Sequence, residues 1–237
     1  MVWWLIVIGI NFGLLRDRTA EHTYVVQEKL NTLLRMYPEL RNYWSRPMVP
    51  GLLDRHRKGD VDTVRVLAIR VEFIEHPEDS LATGNGKFRL TPNDEPPFDT
   101  AGHNLYFDPA HTKRYFEHLL EFLHNYYYAT SQGKLWIEYR VVPDAESLAY
   151  QLPYQIYYYG DPDHYVEGLL TLLRDALIAC DLQDTVTMSN YDAFIVFHPG
   201  CSWQAQAPWG DTPYDILTGS IIGLDGYFGT PVYVDGG

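Results

Sequence analysis

The residue whose position best suits chemistry is His198, which follows a short apolar segment. Residues 193–197 read Ala-Phe-Ile-Val-Phe, and an uninterrupted apolar run of this length predicts a buried central strand. Open sheets bind ligands at the carboxyl ends of parallel strands, so His198 is a candidate cleft residue. The other interpretation is that His198 ends the strand and hydrogen-bonds the next loop without a chemical role.

The other histidines do not have the spacing of a metal site. The best cluster contains His118 and His124 together with Glu117 and Glu121. A His-Glu-x-x-His helix needs two imidazoles on one face with the glutamate beside them, whereas His118 and His124 project to opposite sides of a helix. The cluster therefore predicts two ordinary histidines on a helix surface.

Calcium is the other metal to consider, because Asp161 with Asp163, or Asp211 with Asp215, could supply hard oxygen ligands. No EF-hand-type loop surrounds either pair, and helix caps or turns explain them as well. Calcium binding is therefore a candidate property only. The residues by themselves assign no catalytic, cofactor-binding or metal-ligating side chain.

Three strands are expected to position His198. The β-branched run at 64–73 is apolar on both faces at its centre, as a covered strand is. The segment 135–142 alternates apolar and polar residues and predicts a second strand, and 193–197 is the third. Strand 193–197 is apolar throughout and is expected to be central.

Two amphipathic helices are expected between these strands. Asp108-Pro109 and Asp161-Pro162 each place an N-cap residue before a proline in the first turn, so a helix is expected to begin at each pair. Gly133 is expected to end the first helix in the left-handed conformation. The strand and helix order predicts an α/β fold with a mixed, mostly parallel sheet flanked by helices.

The glycine- and proline-rich tail predicts an edge hairpin near the C-terminus, because Gly229 and Pro231 interrupt the strand-like segment 227–234. An edge strand can bind an extended peptide as a further strand of the sheet. An ordinary surface hairpin is the other interpretation. The candidate substrate-edge residues are Tyr227, Val232, Tyr233 and Val234.

The first 62 residues predict a leader and a linker. The apolar run 3–15 has the length of a signal-peptide core and is too short to span a membrane, so 1–20 is interpreted as a leader and secretion is expected. A buried N-terminal strand is the alternative. Residues 21–62 predict a pro-segment and linker, and 63–237 the compact domain.

Composition excludes some partners. The chain has 31 acidic and 18 basic residues, a net charge of -13, which repels phosphate backbones and anionic lipid headgroups. We therefore expect no nucleic acid partner and no stable membrane insertion. Cys180 and Cys201 are the only cysteines, and they either form one disulfide or stay unpaired, with Cys180 buried on a helix.

Five segments form a recognisable set: 64–73, 83–88, 126–135, 157–160 and 191–200. The most specific patterns are Tyr-Tyr-x-x-x-Ser-x-Gly-Lys-Leu in the third and Tyr-Asp-x-x-x-Val-x-His-x-Gly in the last. In order and spacing the set resembles the immune inhibitor A family of secreted bacterial metallopeptidases. The resemblance extends from about residue 64 to residue 237.

The resemblance implies a zincin-like N-terminal subdomain, a mixed sheet whose helices form the upper half of a cleft. It also implies a secreted zinc-dependent endopeptidase that hydrolyses protein or peptide substrates with metal-activated water. In this family an active-site helix with His-Glu-x-x-His follows the part seen here, and that motif does not occur in the 237 residues.

The zinc ligands are therefore expected beyond residue 237, in a parent protein of which this chain is a truncated front part. The chain is expected to be inactive by itself. The alternative is a secreted, non-catalytic domain that binds peptide or glycan.

Overall fold

The computed structural model describes residues 4–9, 61–77, 81–92, 109–184, 186–203, 212–222 and 232–235. The strands in these ranges are β1 (Trp4–Gly9), β2 (Asp62–Glu72), β3 (Leu135–Val142), β4 (Tyr150–Gln151), β5 (Ala193–His198) and β6 (Ser220–Ile222). The α-helices are α1 (Lys113–Thr130), α2 (Ile156–Tyr159) and α3 (Tyr165–Gln183), and a short 3-10 helix spans Met188–Asn190.

The six strands form one sheet in the order β3-β2-β5-β1-β6, with β4 beside β2. Strands β3, β2, β5 and β1 are parallel, and β6 is antiparallel to β1. The predicted mixed α/β fold with a mostly parallel sheet is therefore confirmed. The chain passes from β2 to β3 on one side and later reaches β5 on the other, so the sheet has a topological switch point between β2 and β5.

Strands β2 and β5 lie inside the sheet because both of their faces are apolar. Successive side chains of a strand point to opposite faces. One face contributes the buried residues Leu67, Ile69, Val71, Phe194 and Val196, which share a core cluster with α3. The other face contributes Val66, Ala68, Ile195 and Phe197, which cluster with Phe116 and Leu120 of α1. Helices thus cover both faces of the sheet.

Helix α1 begins at Lys113 and not at Pro109, so the predicted start is wrong. The stretch before it is held to another loop, because the backbone N–H of His111 donates a 2.7 Å hydrogen bond to the carbonyl of Arg89. Asp108 lies outside the described residues. The predicted end is confirmed: Gly133 has φ +78°, and its N–H donates to the carbonyl of Tyr128.

Helix α3 begins at Tyr165 and not at Pro162, so this predicted start is wrong as well. The carboxylate of Asp161 accepts a 2.9 Å hydrogen bond from the N–H of Asp163, and its carbonyl accepts one from the N–H of His164. Asp161 therefore forms a turn before the helix instead of capping it. The predicted apolar stripe is buried at Val166, Leu169, Leu170, Leu173 and Cys180.

The predicted edge hairpin is not formed by its described residues. Val232, Tyr233 and Val234 lie outside the sheet, and Tyr227 lies outside the described residues. The reason is the anchor that follows: the carboxylate of Asp235 accepts hydrogen bonds of 2.7 and 2.9 Å from the N–H groups of residues 188 and 189. The tail is thereby held at the 3-10 helix, and among the strands that the structure describes β6 lies at the edge of the sheet.

Strand β1 lies in the segment that the sequence assigns to a leader. It pairs in parallel with β5, from Trp4 opposite Ala193 to Gly9 opposite His198. This pairing is the one that the alternative of an N-terminal strand expects, while export stays a prediction. Among the described residues, no helix combines the length and apolar content needed to cross a membrane.

Cys180 and Cys201 are both buried thiols that form no disulfide with each other, so of the two interpretations the structure shows the one without a disulfide. Burial raises the pKa of the Cys180 thiol to about 11. Because the thiolate is the reactive form, Cys180 is a packing residue of α3 and not a nucleophile near neutral pH.

Candidate functional site

The candidate site lies at the switch point, where the carboxyl ends of β2 and β5 are neighbours. Arg70 of β2 is opposite Phe197 of β5, one residue before that strand ends at His198. Beyond Glu72, the last residue of β2, the chain continues to His76. Open α/β sheets bind ligands at such an edge, so the side chains that follow these two strands are the first candidates.

The imidazole of His198 is buried at this edge. It is 2% exposed, and its Nδ1 lies 2.9 Å from the carbonyl oxygen of Pro199. Its ring centroid is 6.0 Å from that of Phe73. Burial lowers the pKa of His198 to about 4, so the ring is neutral near pH 7. The side chain thus contacts the next residue's backbone, and the role of His198 as a cleft residue stays a prediction.

His76 repeats the arrangement of His198. It is 3% exposed, and its Nδ1 lies 3.0 Å from the carbonyl oxygen of Pro77 and 3.1 Å from the hydroxyl oxygen of Tyr157. His76 was not among the candidates from the sequence, because it lies after the predicted strand 64–73 and in none of the predicted elements. The signal that could have found it is the His-Pro dipeptide, which occurs at 76–77 and again at 198–199.

Each imidazole directs its Nδ1 at a carbonyl oxygen. A carbonyl oxygen only accepts hydrogen bonds, so Nδ1 carries a proton in each ring, and the neutral ring of His198 keeps a lone pair on Nε2. The Nε2 atoms of His76 and His198 are buried without a hydrogen-bond partner. A buried polar atom without a partner costs about 1–3 kcal/mol, so two of them at one sheet edge mark this place as the candidate site.

The loop 81–88 packs over the segment that follows β2. The N–H of Phe73 donates to the carbonyl of Gly86 at 2.9 Å, and the N–H of His76 donates to that of Asn85 at 3.1 Å. Gly86 has φ +87°, and a Cβ there would lie 3.2 Å from Phe73 Cβ and 3.3 Å from His76 Cδ2. The positive φ therefore favours glycine at this position, and the close contacts leave little room for a side chain.

Asp215 anchors the same loop, 81–88, through hydrogen bonds to its carboxylate. It is fully buried, and its carboxylate accepts hydrogen bonds from the N–H of Thr83 at 2.8 Å, the hydroxyl of Thr83 at 2.9 Å and the hydroxyl of Thr212 at 2.6 Å. Burial raises the pKa of Asp215, and these three donors oppose the rise. Asp215 has the contacts of a loop anchor, and calcium binding stays a prediction.

Replacing Asp215 by asparagine is expected to lower the free energy of unfolding by about 1–3 kcal/mol, because the amide accepts through one oxygen and leaves a buried donor short of a partner. Urea unfolding measures the loss, and faster hydrogen exchange at the Thr83 amide locates it. The control is Asp163→Asn, in an exposed turn. Equal effects of the two substitutions would contradict the anchoring role.

The histidines of α1 are surface residues, in agreement with the prediction. His118 is exposed, and His124 is half-buried with its Nδ1 2.9 Å from the carbonyl oxygen of Ile137. Across the ranges that the structure describes, no group of three or more His, Cys, Asp or Glu side chains is arranged to hold a metal ion.

Lowering the pH below neutral is expected to reduce the stability of the folded protein through the protonation of His198. Its pKa is about 4 in the folded protein and 6.5 in an unfolded chain, so only the unfolded state takes up the proton between these values. Stability is therefore lost as the pH falls from 6.5 to 4, by up to about 3 kcal/mol at about 1.4 kcal/mol per pKa unit.

Urea unfolding at several pH values between 4 and 7 measures this effect. The variant His198→Gln is expected to show a smaller pH dependence than the parent, whereas His118→Gln, at an exposed position, is expected to keep it. An unchanged pH dependence in His198→Gln would show that His198 titrates normally in the folded protein.

The fold and the site define a mixed α/β protein with helices on both faces of the sheet and two buried imidazoles at its switch point. Comparison of the chain with protein-family models, with curated proteins and with solved structures gives no match.

Proposed function

We propose that this chain is the N-terminal, zincin-like part of the catalytic domain of a secreted zinc-dependent endopeptidase, and that it binds the peptide substrate at the edge of its sheet. The proposal is supported by the five family-like segments, which fall on β2, the 81–88 loop, the end of α1, α2 and β5. Of these elements, β2, the 81–88 loop, α2 and β5 meet near the carboxyl ends of β2 and β5, whereas the end of α1 leads into the amino end of β3.

The observation that carries the proposal is the antiparallel edge strand. Strand β6 pairs with β1 through Trp4 opposite Ile222, and no other strand of the described residues pairs with its free side. An exposed edge offers unpaired backbone N–H and C=O groups, which an extended peptide satisfies by adding a strand. Binding of this kind would hold a substrate straight along the sheet.

The zinc ion of such an enzyme does not fit the residues present. A catalytic zinc site of this family needs His-Glu-x-x-His, which is absent from the 237 residues, and no ligand group of three is found in the described part of the chain. The contribution proposed for this chain is therefore binding and alignment of the peptide. The net charge of -13 favours peptides that carry basic residues.

Peptide binding tests the proposal. A fluorescent, lysine-containing extended peptide is titrated with the protein, and anisotropy is expected to report saturable binding that a zinc chelator leaves unchanged. The same peptide N-methylated at alternate residues is the matched ligand, because it lacks the N–H groups that a β-strand partner must donate. We expect it to bind at least tenfold more weakly (about 1.4 kcal/mol).

A protein control uses the residue that the sequence first suggested. Tyr233 is 68% exposed and lies outside the sheet, so Tyr233→Ala is expected to bind the peptide like the parent. Equal affinity for the methylated and unmethylated peptides would exclude binding at a strand edge. Absence of any peptide binding would contradict the proposed function of this part of the enzyme.

A further inference from the structure

Strand β1 fills a space between β5 and β6 that we call the β1 slot. It pairs in parallel with β5 through the six residues of Trp4–Gly9 and antiparallel with β6 through three of them. The same residues belong to the segment 1–20, which the sequence predicts to be a leader. Export is part of the proposed function, and it would separate this strand from the rest of the chain.

The β5 side of the slot stays in place without β1. Strand β5 pairs with β2 along its other side, from Ala193 opposite Val66 to Phe197 opposite Arg70. Its two faces also belong to the two core clusters, one shared with α3 and the other with α1. Strand β5 is therefore held in the sheet by contacts that do not involve the leader.

The β6 side of the slot has an anchor of its own. Ile216 and Leu217, a few residues before β6, are buried in the core cluster shared with α3. The N–H of Trp203 donates a 2.9 Å hydrogen bond to the carbonyl of Ile216, which ties this segment to the loop after β5. Both sides of the slot are thus fixed to the body of the fold, about 9.6 Å apart, or two strand spacings.

Loss of β1 would leave buried backbone groups of β5 without partners. The N–H of Asp192 donates to the carbonyl of Arg65 in β2, and successive residues of a strand direct their backbone groups to alternate sides. Ala193, Ile195 and Phe197 therefore direct theirs toward β1. Unpaired backbone groups in an apolar place are costly, so an empty slot favours the entry of another strand.

The side chains beside the slot select the kind of strand that fits. On one face of the sheet the neighbours in β5 are Phe194 and Val196, and on the other they are Ile195 and Phe197, all buried. A strand in the slot has such neighbours on both faces, so consecutive apolar residues suit it and a charged residue in its middle does not. The sequence of β1, Trp-Leu-Ile-Val-Ile-Gly, has this composition.

We infer that the exported protein binds an extended, uncharged apolar peptide in the β1 slot, in the place that β1 occupies in the uncut chain. A leader-cleaving peptidase hydrolyses one peptide bond with one water molecule, and the leader then leaves with β1. The incoming peptide runs parallel to β5 and antiparallel to β6, and it pairs with both through its backbone. This site lies on the inner side of β6, whereas the proposed substrate edge is the outer side.

The test begins with the full chain, so that folding precedes cleavage. A protease recognition site is placed between residues 20 and 21, and the folded protein is cut there. A fluorescent peptide with the sequence of β1, followed by lysines for solubility, is added in excess and its anisotropy is measured. We expect saturable uptake of one peptide per cut chain, release of 1–20 by mass spectrometry, and uptake at least about tenfold weaker by the uncut chain.

A pair of variants opens the slot without cleavage. Proline has no N–H and interrupts a strand ladder, so the uncut Val7→Pro protein is expected to take up the peptide as the cut chain does. Val7→Ala keeps the backbone N–H and is the matched control, expected to exclude the peptide like the uncut parent. The β1 peptide N-methylated at alternate residues is expected to enter the cut chain at least about tenfold more weakly.

Equal uptake by the cut and uncut chains, or failure of the excess peptide to enter the cut chain, would overturn the inference. The inference rests on the export in the proposed function, but the two are tested separately. Binding at the outer edge of β6 is measured with the lysine-containing peptide and the uncut chain. That binding without uptake into the slot would refute the slot alone, and the reverse result would refute the edge site alone.

Discussion

Replacing Arg70 by methionine is expected to lower the free energy of unfolding by about 2–4 kcal/mol. Arg70 lies in the middle of the sheet, in β2, and is 1% exposed. Its guanidinium donates hydrogen bonds to the carbonyls of Pro143, Ala145 and Glu146, at 2.7, 2.6 and 2.9 Å. These three carbonyls belong to the turn after β3, so one side chain fixes the turn to the sheet.

Electrostatics and the shape of the guanidinium together explain why the residue at position 70 is arginine. Burial lowers the pKa of Arg70, and the nearby carboxylate of Glu146 opposes this change most strongly. A planar guanidinium reaches three acceptors at once, which an ammonium on a flexible stem does not. We therefore expect Arg70→Lys to lose more than half of the stability that Arg70→Met loses.

The matched control for Arg70 is in the same strand. The side chain of Arg65 forms an exposed ion pair with Glu138, with the two side chains 57% and 54% exposed, and such pairs contribute little to stability. Urea unfolding of Arg65→Met is expected to differ from the parent by less than about 0.5 kcal/mol. A similar loss in both methionine variants would mean that the buried carbonyl contacts of Arg70 do not stabilise the fold.

Replacing Gly168 by alanine is expected to cost about 3 kcal/mol or more, although alanine is the better helix former by about 1 kcal/mol. Gly168 lies in the first turns of α3. A Cβ there would be 2.2 Å from the carbonyl oxygen of Tyr159 and 2.9 Å from its carbonyl carbon. Both are backbone atoms of α2, so relief requires the two helices to separate.

Separation of α2 from α3 would also break a buried polar contact. The hydroxyl of Tyr159 donates a 3.0 Å hydrogen bond to the carboxylate of Asp175, and burial raises the pKa of that hydroxyl. Circular dichroism and urea unfolding measure the result. The control is Glu167→Ala at the neighbouring exposed position, expected to stay within about 0.5 kcal/mol of the parent. A stable Gly168→Ala protein would contradict the close approach of the helices.

Strands were predictable from the sequence where the local pattern of apolar and polar residues is enough to specify a strand. The predicted limits of the strand at 135–142 agree with β3, and the apolar run at 193–197 forms β5 inside the sheet. Apolar residues on both faces leave a strand no solvent-exposed side, so a central place in the sheet follows. The end of α1 at Gly133 was also predictable from the local sequence, because it requires only a residue that adopts the left-handed conformation.

Helix starts were not predictable from Asp-Pro pairs alone. Asp161 uses its carboxylate on a turn, and the chain before α1 is held by a distant backbone carbonyl at Arg89. The predicted hairpin of the C-terminal tail was wrong for a related reason. The carboxylate of Asp235 accepts hydrogen bonds from backbone N–H groups that are far away in sequence. Each of these outcomes depends on a partner that local periodicity does not reveal.

The site was predictable only in part. His198 could be placed at the end of a central strand from the sequence, but its burial beside Phe73 depends on tertiary packing that the local pattern does not show. His76 could not be placed, because its strand-end position becomes visible only once β2 is known to neighbour β5. The repeated His-Pro pair was the one local clue.

The peptidase activity of the protein expressed from its natural reading frame tests the central proposal most directly. A quenched fluorescent peptide with basic residues serves as the substrate, with and without a zinc chelator. We expect hydrolysis that the chelator abolishes and added zinc restores, with none from the 237 residues alone. Peptide binding without hydrolysis by the natural product would contradict the proposal and identify a non-catalytic binding domain.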